Sequence, residues 1–137
     1  MGDAAAERAS KPVLGNAVPH LFVTDLAGSC GFFTGELGFG VDFVYGEPPF
    51  YAQVVRDAAR IALRHVDRAV RDQIAAAMKT DIDMLAASIA VDDVDSLFLE
   101  FQAANVPFHQ TLRTEPWGAR TFIVTAPDGN LLLFAGD

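Results

Sequence analysis

The chain repeats one order of secondary-structure signals, and this repeat constrains the fold more than any other feature. Val23-Thr24-Asp25-Leu26 corresponds to Val91-Asp92-Asp93-Val94 at an offset of 68 residues, and Asp57 corresponds to Asp128 at an offset of 71. The small drift between the two offsets fits one short insertion in a loop. Repeated units of this kind bury a common core by packing against each other. The sequence therefore predicts two similar halves whose sheets have concave faces that can enclose a cavity.

Each half gives the order strand, helix, strand, strand, strand. Asp25 and Asp93 precede helices as capping residues, and apolar side chains follow each cap at helical spacing. These stripes consist of Leu26, Cys30, Phe33 and Leu37 in the first half and of Val94, Leu97, Phe98 and Phe101 in the second. The predicted strands are residues 17–23, 39–45, 50–56, 60–65, 85–91, 108–113, 120–125 and 131–134.

A tight turn near the end of the chain joins the last two predicted strands. Pro127-Asp128-Gly129-Asn130 lies between two apolar runs, where proline fixes one backbone angle and glycine supplies a positive one. The flanking runs are rich in β-branched, aromatic and aliphatic residues, which favours a hairpin. Pro116-Trp117-Gly118 predicts a second turn at the opening of this hairpin.

These signals predict an α+β protein with a simple organisation. Residues 1–16 are expected to form a mobile tail. Residues 17–65 form the first βαβββ module, residues 66–84 a connector, and residues 85–137 the second module. The connector has no strand pattern, although residues 72–79 suit a short helix that folds over a pocket.

Composition excludes several classes of partner. The net charge of −8 opposes non-specific nucleic-acid binding and weakly favours a cationic ligand, although solubility alone also explains it. The one cysteine, Cys30, cannot form an intrachain disulfide, and no signal-peptide pattern opens the chain. No apolar run reaches membrane-spanning length. We expect a cytoplasmic protein without nucleic-acid or membrane partners.

Both ends of the repeat resemble one known family. Val23-Thr24-Asp25, Ser29, Phe32-Phe33 and Leu37-Gly38-Phe39 are similar to the opening of the vicinal oxygen chelate superfamily, which includes glyoxalases, bleomycin resistance proteins and dioxygenases. The ending, Pro116-Trp117-Gly118 followed by Pro127-Asp128-Gly129-Asn130 and Phe134, resembles the bleomycin resistance branch. Phe33 replaces a common Tyr, and Ala126 replaces the usual Asp. The resemblance implies two βαβββ modules that form a cupped mixed sheet, and homodimers with binding sites between subunits.

The resemblance also points to four strand positions where enzymes of this superfamily hold a metal with His and Glu. Here those positions are Val18, Ala62, Ala86 and Leu133. Aliphatic side chains have no lone pair for a metal, so no metal cofactor is expected. His20 shares the inward face of Val18 by strand alternation, but no second ligand stands at a suitable spacing.

Eight residues are candidates for contact with a ligand by strand alternation or by their place in the family pattern. Trp117 and the other aromatic residues offer a large surface for flat or cationic groups. For each candidate a structural role is the alternative, such as core packing, a hydrogen-bonded histidine or a surface charge. The candidates are His20, Phe22, Phe50, Tyr51, Arg64, Ser88, Trp117 and Leu133.

The sequence therefore predicts a metal-independent small-molecule binding protein that sequesters an antibiotic or similar toxic compound, with no catalytic residues. One alternative is a metal-dependent lyase, isomerase or dioxygenase with an atypical site built from His20 and Arg64 or Glu115. Another is a structural or regulatory domain whose pocket no longer functions.

Overall fold

The structure, a computed structural model, describes residues 11–137, so most of the predicted tail lies outside the described residues. Residues 12–19 have no regular secondary structure. The helices are α1 (Leu26–Gly35), α2 (Arg68–Ala77) and α3 (Val94–Ala103). The strands are β1 (His20–Val23), β2 (Gly40–Tyr45), β3 (Tyr51–Arg56), β4 (Ala59–His65), β5 (Leu85–Ala90), β6 (Phe108–Thr114), β7 (Arg120–Thr125) and β8 (Leu131–Gly136).

The strands form two four-stranded sheets with the same order. The first sheet runs β1-β4-β3-β2 and the second runs β5-β8-β7-β6. In each sheet the first and last strands of the module pair in parallel, and the other neighbours pair antiparallel. This repeated topology confirms the predicted α+β fold of two βαβββ modules. No helix in residues 11–137 is long and apolar enough to cross a membrane.

The first helix of each module begins in the same way, with an aspartate cap. Asp25 Oδ1 accepts a hydrogen bond from the Gly28 amide at 2.9 Å, and Asp93 Oδ1 accepts one from the Ser96 amide at 3.1 Å. Each carboxylate satisfies an amide that has no partner inside its own helix. Both caps therefore confirm the helix starts that the repeat predicts.

One apolar core joins the two modules. Phe33 and Leu37 from the first module belong to the same buried cluster as Phe101 and Phe122 from the second. The rings of Phe101 and Phe122 are fully buried and meet edge to face with centroids 5.8 Å apart. Cys30 packs beside this cluster, and burial raises the pKa of its thiol. A thiol with a raised pKa is a poor nucleophile, which agrees with a packing role.

The connector contains a helix that is fixed to the second module. The predicted helix at residues 72–79 is displaced, because α2 spans Arg68–Ala77 and follows Asp67. Arg71, which is only 8% exposed, donates from Nε to the Asp128 carbonyl oxygen at 3.1 Å and also from Nη2. The spacing of residues along the sequence does not reveal this contact between distant parts of the chain. The sequence therefore did not indicate that the helix begins at Arg68.

Candidate functional site

The open face of the first sheet carries four of the eight candidate residues, and Phe50 lies at its edge just before β3. Leu21 and Val23 are buried on the core side of β1, so His20 and Phe22 lie on the opposite face. Strand pairing places Arg64 beside Phe22, and Tyr51 beside Arg64. The Phe22 side chain is 40% exposed. The face is therefore aromatic, polar and accessible.

A chain of hydrogen bonds with a fixed direction crosses this face. Arg60 Nη1 donates to Gln53 Oε1 at 2.8 Å, and Gln53 Nε2 donates to the Tyr51 hydroxyl oxygen at 2.9 Å. The Tyr51 hydroxyl lies 3.1 Å from His20 Nε2, and His20 Nδ1 lies 3.1 Å from the Val18 carbonyl oxygen. A carbonyl can only accept, so neutral His20 carries its proton on Nδ1 and accepts at Nε2. The chain thus fixes the histidine tautomer and the direction of the Tyr51 hydroxyl.

Phe50 and Arg64 form a flat surface beside this chain. The guanidinium carbon of Arg64 lies 4.8 Å from the centre of the Phe50 ring. Arg64 Nη1 donates to the His65 carbonyl oxygen at 2.8 Å, which holds the guanidinium in place. Phe50 in turn meets Tyr45 edge to face at 5.7 Å. The stacked cation and rings present area that suits a planar ligand group.

The remaining three candidates belong to the second module. Ser88 pairs with Leu133, and both lie on the open face because the β8 neighbours Leu132 and Phe134 are buried. Trp117 occupies the predicted turn before β7 and is 75% exposed, so it does not pack beneath the hairpin. This exposure leaves its ring available for contact with another molecule.

A buried carboxylate on the second sheet is a polar feature that the candidate set did not include. Glu115 is 9% exposed and accepts hydrogen bonds from the Thr121 hydroxyl and from Arg113 Nε, both at 2.8 Å. The bond from Arg113, followed by that from Thr121, holds the pKa of Glu115 below its usual range. Gln110 extends the cluster by donating to Thr121 Oγ1 at 3.0 Å. Strand alternation from Ile123 would have placed Thr121 on this face, but the bulges in β6 hide the same pattern for Gln110 and Arg113.

The four strand positions at which enzymes of the resembled superfamily hold a metal have no metal-binding side chains here. Ala62 lies opposite His20 in the first sheet, and Leu133 lies opposite Ser88 in the second. Neither side chain has a donor atom, and the same holds for Val18 and Ala86. Across residues 11–137, no three His, Cys, Asp or Glu side chains come together in a group that could hold a metal.

The candidates form two groups rather than one pocket. His20, Phe22, Phe50, Tyr51 and Arg64 belong to the first sheet or its edge, whereas Ser88, Trp117 and Leu133 belong to the second module. A cavity of about 510 Å³ does lie between the modules, but none of the eight candidates lines it. This cavity is therefore a separate feature, and the cavity predicted between the concave sheet faces stays a prediction.

Comparison with known proteins identifies the family. The profile of the Glyoxalase/Bleomycin resistance protein/Dioxygenase superfamily matches residues 14–134. The chain belongs to this superfamily. No protein with a curated description is significantly similar to it.

Solved structures show the same fold. The bleomycin-binding protein from bleomycin-producing Streptomyces verticillus, complexed with copper(II)-bleomycin, is 26% identical, with 93% of this chain and 99% of that chain covered and a TM-score of 0.71. The bleomycin resistance determinant encoded on the transposon Tn5 is 16% identical, with 90% and 98% covered and a TM-score of 0.70. TioX from Micromonospora sp. ML1 is 20% identical, with 90% and 96% covered and a TM-score of 0.66.

Proposed function

We propose that this protein binds a small organic molecule on the open faces of its sheets and sequesters it without a metal. The observation that carries the proposal is the first sheet's open face, where exposed aromatic rings border a directionally fixed chain of hydrogen bonds. Ligand sites commonly combine apolar walls with a few precisely oriented polar groups. Sequestration needs only affinity and copy number, so the proposal requires no catalytic residue.

Metal independence rests on the side chains at the inherited positions. Val18, Ala62, Ala86 and Leu133 offer hydrocarbon where a metal enzyme needs nitrogen or oxygen donors. His20 does not supply a replacement, because its two ring nitrogens already face the Val18 carbonyl oxygen and the Tyr51 hydroxyl. The family fold is therefore used here for binding and not for metal-assisted chemistry.

A second copy of the chain completes the site. Strand β2 is one of the two outer strands of the first sheet, and its apolar residues are between 42% and 65% exposed: Val41, Phe43, Val44 and Tyr45. An outer strand with exposed apolar residues on both faces tends to be covered by another chain. We propose a two-fold dimer in which the first sheet of one copy faces the second sheet of the other, because this arrangement would bring the two candidate groups together.

The ligand class follows from the groups that the faces offer. Arg60 is paired with Asp42 at 2.6 Å, and Arg113 is paired with Glu115 at 2.8 Å. Arg64 has no carboxylate partner among the described residues, so the faces do not share the acidic balance of the whole chain. We propose a ligand with a planar aromatic part that stacks on these faces. A basic glycopeptide antibiotic remains the first compound to test, and its cationic groups would then lie outside the faces.

Fluorescence of the single tryptophan tests binding. Titration with copper(II)-bleomycin and with metal-free bleomycin is expected to change Trp117 emission in a saturable way. Tyr51→Phe removes a hydroxyl from the hydrogen-bond chain and is expected to weaken binding about fivefold to tenfold. Tyr45→Phe is the matched control, because Tyr45 pairs with Tyr51 across the sheet and its hydroxyl forms no hydrogen bond in the described chain.

Two further results would overturn the proposal. One is a stoichiometric transition metal in protein purified without added metal. The other is turnover of a compound that a chelator abolishes. Analytical ultracentrifugation tests for the second copy: Val44→Arg on β2 is expected to yield monomers, whereas Leu99→Arg on the exposed side of α3 is expected to leave the dimer intact.

A further inference from the structure

A cavity between the modules is separate from the open sheet faces. Its volume is about 510 Å³, which is in the range of small-molecule sites. Its apolar wall includes Phe39, Ile89 and Leu97, which come from both modules. The turn between β3 and β4, the end of β5 and the first turns of α3 surround this wall. A ligand bound here would contact both halves of the repeat.

The rim of the cavity is strongly acidic. Asp57, Asp92, Asp93 and Glu100 line it, with Arg56 as the one cation among the lining residues. Glu100 is paired with Arg56 at 2.6 Å. The Asp93 carboxylate accepts a hydrogen bond from the Ser96 hydroxyl at 2.7 Å. The carboxylates of Asp57 and Asp92 have neither a hydrogen bond nor an ion pair within residues 11–137.

The internal repeat shows what these two aspartates replace. At the other junction between the modules, Asp128 accepts hydrogen bonds from the Thr24 amide and the Thr24 hydroxyl, both at 2.9 Å. The repeat offsets of 71 and 68 make Asp57 the counterpart of Asp128, and Asp92 the counterpart of Thr24. Asp57 and Asp128 also share a left-handed backbone, with φ of 51° and 63°. One junction thus pairs a carboxylate with donors, whereas the other places two carboxylates beside an open cavity.

We propose that this intermodule cavity binds a small organic cation with an apolar body. Its ammonium or similar group lies between Asp57 and Asp92 and supplies the hydrogen-bond donors that Thr24 supplies to Asp128 at the closed junction. Its apolar body lies against Phe39 and Leu97. Charge complementarity selects this class of ligand, because an acidic rim above an apolar wall repels anions and gives a neutral compound no charged contact.

The experiment uses the full chain, with berberine as a planar aromatic monocation and anilinonaphthalene sulfonate as an anionic comparison. Amide chemical shifts are followed by NMR during each titration. Berberine is expected to shift the amides of Ala58, Asp92 and Leu97. Those shifts are expected to persist in Tyr51→Phe, which separates this cavity from the site proposed on the sheet faces.

Charge variants give the decisive comparison. Asp92→Thr introduces the residue that stands at the equivalent position of the closed junction. We expect it to lower berberine affinity about tenfold, because one carboxylate is lost, and to raise the melting temperature, because its hydroxyl can donate to Asp57. Asp57→Asn is expected to lower affinity by a similar factor without depending on the new threonine contact. Asp81→Asn removes the same charge from an exposed position outside the cavity and is expected to change affinity less than twofold.

Three outcomes would each contradict the cavity proposal. The first is unchanged berberine affinity in both Asp92→Thr and Asp57→Asn. The second is equal binding of the anionic dye at the same amides. The third is berberine-induced shifts confined to the open sheet faces, which would support the proposed ligand site while removing this one.

Discussion

Replacement of Asp128 by glycine tests whether its side chain holds the two modules together. Two hydrogen bonds of 2.9 Å join its carboxylate to Thr24. A hydrogen bond to a charged group contributes about 1.5–3 kcal/mol, and partial exposure favours the lower value, so the pair contributes about 3 kcal/mol. Asp128 has a φ of 63°, and glycine relieves about 1–2 kcal/mol of strain at the cost of about 0.5–1 kcal/mol of chain entropy. The expected net destabilisation is about 1.5–3 kcal/mol.

The matched control is Asp57→Gly at the equivalent turn of the first module. Asp57 also has a positive φ, 51°, but its carboxylate forms no hydrogen bond within the described residues. Strain relief equals or exceeds the entropy cost there, so stability is expected to stay the same or rise by up to about 1.5 kcal/mol. Arg71 binds the main-chain oxygen of Asp128, so the glycine variant keeps that contact and isolates the side chain.

Urea unfolding and thermal unfolding at pH 7 measure both variants. The loss of about 1.5–3 kcal/mol corresponds to a fall in melting temperature of roughly 5–10 °C for a chain of this size, whereas the control is expected to keep its melting temperature or raise it by a few degrees. Equal stability of the two variants would refute the reasoning, because the Thr24 contact would then contribute nothing. A decrease in the slope of the urea transition would instead show that the modules unfold separately.

Three shorter predictions concern single groups. Nitrogen-15 spectra of neutral His20 are expected to show the proton on Nδ1, and the Nε2 tautomer would contradict the hydrogen-bond chain. The hydrogen bond from Arg113 lowers the pKa of Glu115, so the ionised carboxylate stabilises the fold at pH values above its unfolded pKa of about 4.3. This stabilisation is lost as the pH falls through the lower folded pKa. Glu115→Gln is expected to make the stability measured by urea unfolding depend less on pH in this acid range, and an unchanged pH profile would contradict the prediction. Phe101→Ala is expected to cost about 3–5 kcal/mol, whereas Leu99→Ala on the same helix, where Leu99 is 62% exposed, is expected to cost less than about 1 kcal/mol; similar losses would contradict the shared core.

The fold could be predicted from the sequence because both modules carry clear local signals. The Asp25 and Asp93 caps, the apolar helix stripes and the Asp57 and Asp128 turns each act within a few residues. Because the signals occur twice, a strand that is ambiguous in one half could be assigned from its counterpart in the other. Alternation along β1 and β4 was sufficient to place His20 and Arg64 on one face.

Contacts between distant segments were outside the reach of those signals. Arg71 lies in a connector without strand pattern, yet it binds the carbonyl oxygen of Asp128, 57 residues away. The cluster around Glu115 depends on bulges in β6 that shift the alternation of Gln110 and Arg113. The positions of such residues depend on how elements pack, and packing is not a property of any one segment.

The two junctions between the modules share a backbone conformation but differ in their side-chain contacts. Their backbones agree so closely that equivalent aspartates adopt the same left-handed turn. The difference lies in one side chain: the Thr24 hydroxyl donates to the carboxylate of Asp128, whereas an ionised Asp92 side chain has no proton to donate to Asp57. A hydroxyl donor at the second junction would have closed it as Thr24 closes the first. The two carboxylates, beside a cavity with an apolar wall, instead favour binding as the role of the second junction.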